Sequence, residues 1–201
     1  MTHGFKILMV DVDGVVVRHP QGLRWDHALE HDLGLKPDDL QRAFFEPNFE
    51  DVVLGRADLH ERLSSVLSEI APHLTATQLT DYWFSHDSHL DERLLADLGA
   101  LRKGGIPLHL ATVQEHRRAA YLWTTLRLSE RFDAMHYAAD VGAKKPDAAF
   151  FATVTARTDL RPSDLFLIDD SARNIDAAKV AGWGAALWDG RTRLAEVLAG
   201  H

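Results

Sequence analysis

The chain has 201 residues, 46% hydrophobic and 26% charged, with 12 histidines and a formal net charge of −8. That length permits one domain, or one domain with an inserted module, around a substantial core, and the acidic balance without a basic tract argues against nucleic acid as a partner. No apolar run approaches the ~20 residues that span a bilayer and no small-residue cleavage site follows the first one. With no cysteine, disulfides, thiol catalysis and Cys-zinc sites are excluded, and the expectation is a cytoplasmic protein with no membrane partner.

Phe5 to Val10 form a short, continuous apolar run that stops at Asp11-Val12-Asp13-Gly14, the pattern of a buried parallel strand delivering carboxylates to its carboxyl end. Ligands bind at that end in open α/β sheets. Adjacent acids repel, so a cation or a phosphoryl group between them makes sense of the pair. Gly14 allows a sharp turn and a close backbone approach. From about Pro20 to Asp91 only helical patterns occur. Pro37-Asp38-Asp39 opens one helix. Asp58 caps a second, with Glu61 completing a capping box ahead of Leu59, Leu63, Val66, Leu67 and Ile70, and Thr75 with Gln78 starts a third. Trp25, Trp83 and Phe84 belong to this small bundle, as core residues or as a pocket lining.

From Asp91 onward helices and strands alternate. Leu94, Leu95, Leu98 and Leu101 make a helical face that Gly104-Gly105 stops, and Ile106 to Ala111 form a strand ending at Thr112. Glu115 to Leu126 are helical, Ala134 to Tyr137 a weak strand, and Lys144-Lys145-Pro146-Asp147 precede a helix from about Ala148 to Ala156. Leu165 to Ile168 form a strand ending in Asp169-Asp170, Asn174 to Ala181 a helix, and Ala185 to Leu187 the last strand. Such alternation implies right-handed crossovers and a parallel sheet with helices on both faces. Taken singly, Thr112 is an N-cap, Lys145 a solvated loop lysine and Asp169-Asp170-Ser171 a helix cap. Brought together on one sheet edge with Asp11 and Asp13, they can handle a phosphate and a divalent cation.

These residues resemble the haloacid dehalogenase-like hydrolase superfamily. Asp11-Val12-Asp13-Gly14-Val15 looks like its first motif, Leu110-Ala111-Thr112 its second, Lys145-Pro146-Asp147 its third, and Ile168-Asp169-Asp170-Ser171-Ala172-Arg173-Asn174 its fourth. The resemblance implies an α/β fold, a three-layer Rossmann-like parallel sheet core (1–19 and 92–201) with an inserted α-helical cap (20–91). It implies a magnesium-dependent phosphatase acting on a small phosphorylated metabolite through an aspartyl-phosphate. Asp11 would be the nucleophile, Asp13 the general acid/base, Thr112 a phosphate-binding hydroxyl and Lys145 the charge-neutralising lysine. Among the metal residues Asp11, Asp13, Asp169 and Asp170, Asp11 and Asp170 would give carboxylates and Asp13 its backbone carbonyl. Asp169 would act through water or Lys145. Val113 stands where the family often has asparagine, at a substrate or phosphate contact.

In chemical terms, an anionic nucleophile approaching a dianionic phosphate needs a hard cation and a lysine beside it. A carboxylate can accept the phosphoryl group, and a second acid must protonate the leaving oxygen and later activate water. A 2-haloacid dehalogenase would leave Asp13 and the Asp169-Asp170 pair without a task, and a phosphomutase would use the same residues. A phospho-acceptor receiver would place its acidic pair first and lacks a cap, and a silent binding protein on this fold is the remaining non-enzymatic reading. In the cap, Arg56 follows Gly55 ahead of a capped helix and is a candidate substrate contact. His116 lies close enough after Thr112 to reach the site mouth. Nothing in the sequence fixes an oligomeric state.

Overall fold

The run Ile7–Val10 is apolar and buried at every position, as a strand covered on both faces requires. It is strand β1, followed by β2 (Leu108–Thr112), β3 (Ala134–Tyr137), β4 (Leu165–Asp169) and β5 (Gly184–Leu187). In the computed structural model, which describes residues 4–19 and 22–199, these form a five-stranded sheet of order β3-β2-β1-β4-β5. Every pairing is parallel. All carboxyl ends therefore share one edge, and the chain reverses its direction of travel across the sheet where β4 is laid beside β1.

The helices in chain order are α1 (Leu29–Leu33), α2 (Pro37–Leu40), α3 (Glu46–Val53), α4 (Leu59–Ile70), α5 (Ala76–His86) and α6 (Glu92–Lys103), then α7 (His116–Ala120), α8 (Ala138–Val141), α9 (Ala148–Thr158), α10 (Ala172–Val180) and α11 (Leu194–Leu198). Side chains alternate across the strands. Leu8 and Val10 pack with Leu94, Leu95 and Leu98 of α6 and with Leu194 and Leu198 of α11. Ile7 and Met9 face the other way, toward Phe150, Phe151 and Val154 of α9 and Ile175 and Ala178 of α10. Helices thus cover both faces of the sheet.

Helices α1 to α5 enclose a separate apolar cluster that includes Trp25, Leu29, Phe44, Leu63, Leu79, Trp83 and Phe84. Their starts follow local chemistry. The Asp58 carboxylate accepts from the Glu61 backbone N–H at 3.0 Å. Thr75 and Gln78 form the reciprocal box, each side chain accepting from the other's backbone N–H, at 3.2 and 2.9 Å. The helix opened by Pro37 runs further than its first turn suggests, because a π-helical turn (Gln41–Phe45) joins α2 to α3. A second π-helical turn (Tyr121–Thr125) extends α7, so the helical stretch read from Glu115 to Leu126 is present in two geometries. Two chain crossings join the helical bundle to the sheet, and they run side by side. Arg18 N–H donates to His89 O and Asp91 N–H to Val16 O, both at 2.9 Å, and Arg18 pairs with Asp91 at 3.1 Å. Pro20, the expected start of the cap, lies outside the described residues. Among the described residues no helix is long and apolar enough to cross a membrane.

Candidate active site

The backbone N–H of Asp11 continues the β1–β4 ladder by donating to Ile168 O at 3.0 Å, which sets Asp11 beside the end of β4. One side chain oxygen from each of Asp11, Asp169 and Asp170 falls within 4.8 Å of the others. Gly14 makes room for this: with φ +78°, a Cβ there would lie 2.0 Å from Asp170 Oδ2. Three carboxylates converging on a point that a methyl group would obstruct fit a hard divalent ion with oxygen ligands. The donor set suits magnesium, with no nitrogen or sulfur ligand in the group.

Lys145 reaches this cluster from the loop between α8 and α9, not from a strand end. Its Nζ lies 3.0 Å from Asp11 Oδ1 and 2.5 Å from Asp169 Oδ2, with the lysine side chain fully buried. Burial alone would lower its pKa, but the two carboxylates outweigh this and the net shift is upward, so it is a fixed cation. Asp169 is the anchor of the arrangement. Its oxygens accept from Lys145, from Asn174 Nδ2 at 3.0 Å to each oxygen, and from the Ser171 N–H at 2.8 Å. Ser171 caps α10 without a side-chain bond; the Asp169 carboxylate orders the turn. Burial, the larger effect, and repulsion from Asp169 both raise the pKa of Asp170.

Asp11 Oδ1 also accepts from the Val12 N–H at 2.8 Å. Desolvation dominates its electrostatics: the carboxyl is pushed up to about 7, with Lys145 opposing and Asp169 and Asp13 adding to the rise. Asp13 turns to a different set of neighbours, on the accessible side of the cluster. Its pKa is raised by desolvation first, then by Asp87, against Arg118 and the hydrogen bond from Gln114. Its carboxyl is not among the three that converge, in keeping with an acid that must stay off a cation.

Thr112 closes β2 and is completely buried. The next residue, Val113, packs beside Val53, Leu54 and Ala138. It thereby joins an apolar seam between the end of α3 and the start of α8, a role asparagine could not fill as well. Gly55 belongs to the same seam: at φ +72° its Cβ position lies 2.6 Å from Ala139 O and 3.1 Å from His116 Nε2. His116 itself meets Tyr137 Oη at 3.3 Å, so it stands at this seam.

Arg56 is not brought to the cluster. The carbonyl of Asp51 accepts from both Arg56 and Ala57 N–H groups, which folds residue 56 back over the end of α3. Its guanidinium, 61% exposed, faces Asp51 at 3.6 Å.

Two residues that the sequence did not mark act on Asp13, Gln114 by a hydrogen bond and Arg118 by its charge. Gln114, buried in the loop after β2, donates from Nε2 to Asp13 Oδ2 at 2.7 Å. Arg118 of α7 is 1% exposed. It donates to Phe84 O at 3.1 Å and to Asp87 O, and pairs with the Asp87 carboxylate at 3.5 Å. Position two residues past a strand-terminal threonine was the available signal for Gln114. Nothing local marks Arg118, since arginine in a helix ordinarily reads as exposed.

Comparisons with known proteins agree with this geometry. A family model described as haloacid dehalogenase-like hydrolase matches residues 58–187, a span holding Thr112, Lys145, Asp169 and Asp170. A phosphoglycolate phosphatase of Yersinia pestis is 27% identical over 178 residues, 86% of this chain and 75% of that protein. One from Escherichia coli is 34% identical over 85 residues, 42% of this chain and 34% of that protein. Among solved structures, a HAD family enzyme of Bacteroides thetaiotaomicron, in complex with magnesium and inorganic phosphate, shares the fold at a TM-score of 0.79. It is 16% identical, with 96% of this chain and 98% of that one covered. With a family match over most of its length and a site assembled on the strand ends that the fold reserves for ligands, the chain belongs to the haloacid dehalogenase-like hydrolase family.

Proposed function

We propose that the chain is a magnesium-dependent phosphatase that hydrolyses a small phosphorylated metabolite through an aspartyl-phosphate on Asp11. The observation that carries this reading is the position of Lys145 Nζ between Asp11 and Asp169, beside a three-carboxylate cluster. Asp11, Asp169 and Asp170 would hold the ion, which when bound neutralises charge on the phosphoryl oxygens and keeps Asp11 ionised. The chain's own residues do the rest. The Asp11 carboxylate forms a bond to phosphorus while the bond to the leaving oxygen breaks, and Asp13 gives that oxygen its proton. Asp13 then takes a proton from the water that attacks the phosphoryl group, releasing inorganic phosphate and restoring Asp11. Lys145 offsets charge beside the nucleophile, and the Thr112 hydroxyl donates to a phosphoryl oxygen. Residues 20–91 act as a cap over a core of 1–19 and 92–201, hinged on the paired crossings at Val16–Arg18 and His89–Asp91. Phosphoglycolate, the substrate named for the Yersinia and Escherichia relatives, is the first candidate.

The test is phosphate release from a panel of phosphorylated sugars, nucleotides, amino acids and small acids, phosphoglycolate included. Activity should require magnesium, vanish on chelation, and vanish in Asp11→Asn. Asp13→Asn should slow turnover by about 10²–10⁴-fold, the usual worth of general acid/base catalysis. Full turnover by Asp11→Asn, or after exhaustive chelation, would refute the assignment.

A further inference from the structure

We infer that Gln114 is a positioning residue for Asp13, fixing which carboxyl oxygen carries the transferred proton. The inference rests on the general acid/base role of Asp13 proposed above and goes beyond it. Gln114 Nε2 donates to Asp13 Oδ2 at 2.7 Å, and among the described residues no other side chain hydrogen-bonds that carboxyl. A carboxylate only accepts, so the amide must present its NH₂ group there. An oxygen engaged by a fixed donor is a poor place for a proton, because a protonated carboxyl oxygen is a weaker acceptor than its unprotonated twin and the donor would lose most of its hydrogen bond. The proton that Asp13 gives to the leaving oxygen, and later takes from water, therefore resides on Oδ1 in both half-reactions.

The donor is held from several directions. Gln114 is buried, its backbone carbonyl accepts from the Ala139 N–H at 3.1 Å, and its side-chain Nε2 also lies 3.5 Å from Thr112 Oγ1. On one side Val113 is packed in the seam with Val53 and Leu54. On the other, the Glu115 carboxylate accepts from the Arg117 N–H at 2.8 Å and from the Arg118 N–H. A side chain locked by its own neighbours is what precise placement of a catalytic group demands.

The test compares phenyl phosphate, whose leaving oxygen needs a proton, with 2,4-dinitrophenyl phosphate, whose phenolate departs with little help. Rapid-mix single-turnover release of the phenol isolates the first half-reaction in wild type, Gln114→Met, Gln114→Ala and Asp13→Asn, each with magnesium. The expected result is a phenyl-to-dinitrophenyl rate ratio about 10- to 100-fold lower in both Gln114 variants than in wild type, the scale of a misplaced proton donor. Each ratio is internal to one protein, so a variant that folds incompletely loses the same fraction on both esters. An unchanged ratio in the Gln114 variants, with a lowered ratio in Asp13→Asn, overturns the role of Gln114 alone. An unchanged ratio in Asp13→Asn, or no phenol release by wild type, overturns the general-acid reading and this inference with it.

Discussion

Asp11 is a carboxyl that the fold holds at a loss, and this has a measurable consequence. Its pKa stands at about 7 against an ordinary 3.8. Between these values the unfolded chain has released the proton while the folded protein keeps it, so stability falls as pH rises through the window and levels off above it. A difference of about 3 units at ~1.4 kcal/mol per unit sets a ceiling of about 4 kcal/mol. Asp11→Asn removes that cost. It also gives up the attraction to Lys145 at 3.0 Å, while the amide oxygen can still accept from the Val12 N–H. Half the ceiling, about 2 kcal/mol, is a fair net figure, and for a chain of this size it raises the melting temperature by about 4–8 °C. Without divalent ions, the variant should match wild type near pH 4 and exceed it by that margin near pH 8, and saturating magnesium should erase the gap by stabilising wild type. Thermal melts across this range, with and without chelator, provide the assay. A constant offset at all pH values, or a variant less stable than wild type at pH 8 without metal, would refute the reasoning.

Two further outcomes follow from single contacts. Gly14→Ala would put a methyl group 2.0 Å from Asp170 Oδ2 at a backbone φ of +78°; displacing that carboxylate should raise the magnesium concentration for half-maximal phosphate release by about tenfold or more, and an unchanged requirement would remove Asp170 from the metal site. Arg118→Met would leave the Asp87 carboxylate without its buried partner and uncover the carbonyls of Phe84 and Asp87, at a cost of about 3–5 kcal/mol; urea denaturation showing a loss below about 1 kcal/mol would contradict the buried pair.

The sheet was legible because its strands are short, apolar and bounded by acids, threonine or glycine: β1 and β4 stand out from any helical pattern by length alone. The same boundaries put Asp11, Asp13, Thr112, Asp169 and Asp170 at or just past strand ends, since a residue ending a parallel strand is placed by the strand itself. The approach of Lys145 to the carboxylates was legible but not its route, because the one-turn helix α8 is too short to leave a periodicity. The placing of Arg56 beside Asp51 was not legible, since its path depends on a carbonyl of Asp51 that local sequence does not reveal. Val113, read as a substrate contact, stands in an apolar seam between α3 and α8 that only three-dimensional packing creates. Gln114 and Arg118 were missed because their partners, Asp13 and Asp87, lie 101 and 31 residues away.

The helical bundle is fastened to the sheet unequally. At its crossings the backbone of Arg18 pairs with that of His89, Asp91 pairs with Val16, and buried Arg118 grips the last carbonyls of α5. At its far contact stand one small apolar seam, Val53 and Leu54 against Ala138, and two partly exposed ion pairs, Lys144–Glu50 and Arg117–Asp58, the kind of pair worth little in water. We propose that this bundle, acting as the cap, opens at the lightly held end. Seven consecutive residues would couple that motion to the chemistry: Thr112 at the strand end, Val113 in the seam, Gln114 on Asp13, and Arg118 on α5. Closing the seam over a substrate would therefore fix Val113 at the moment its neighbour must hold Asp13 in line, so water is excluded and the acid aimed by one movement.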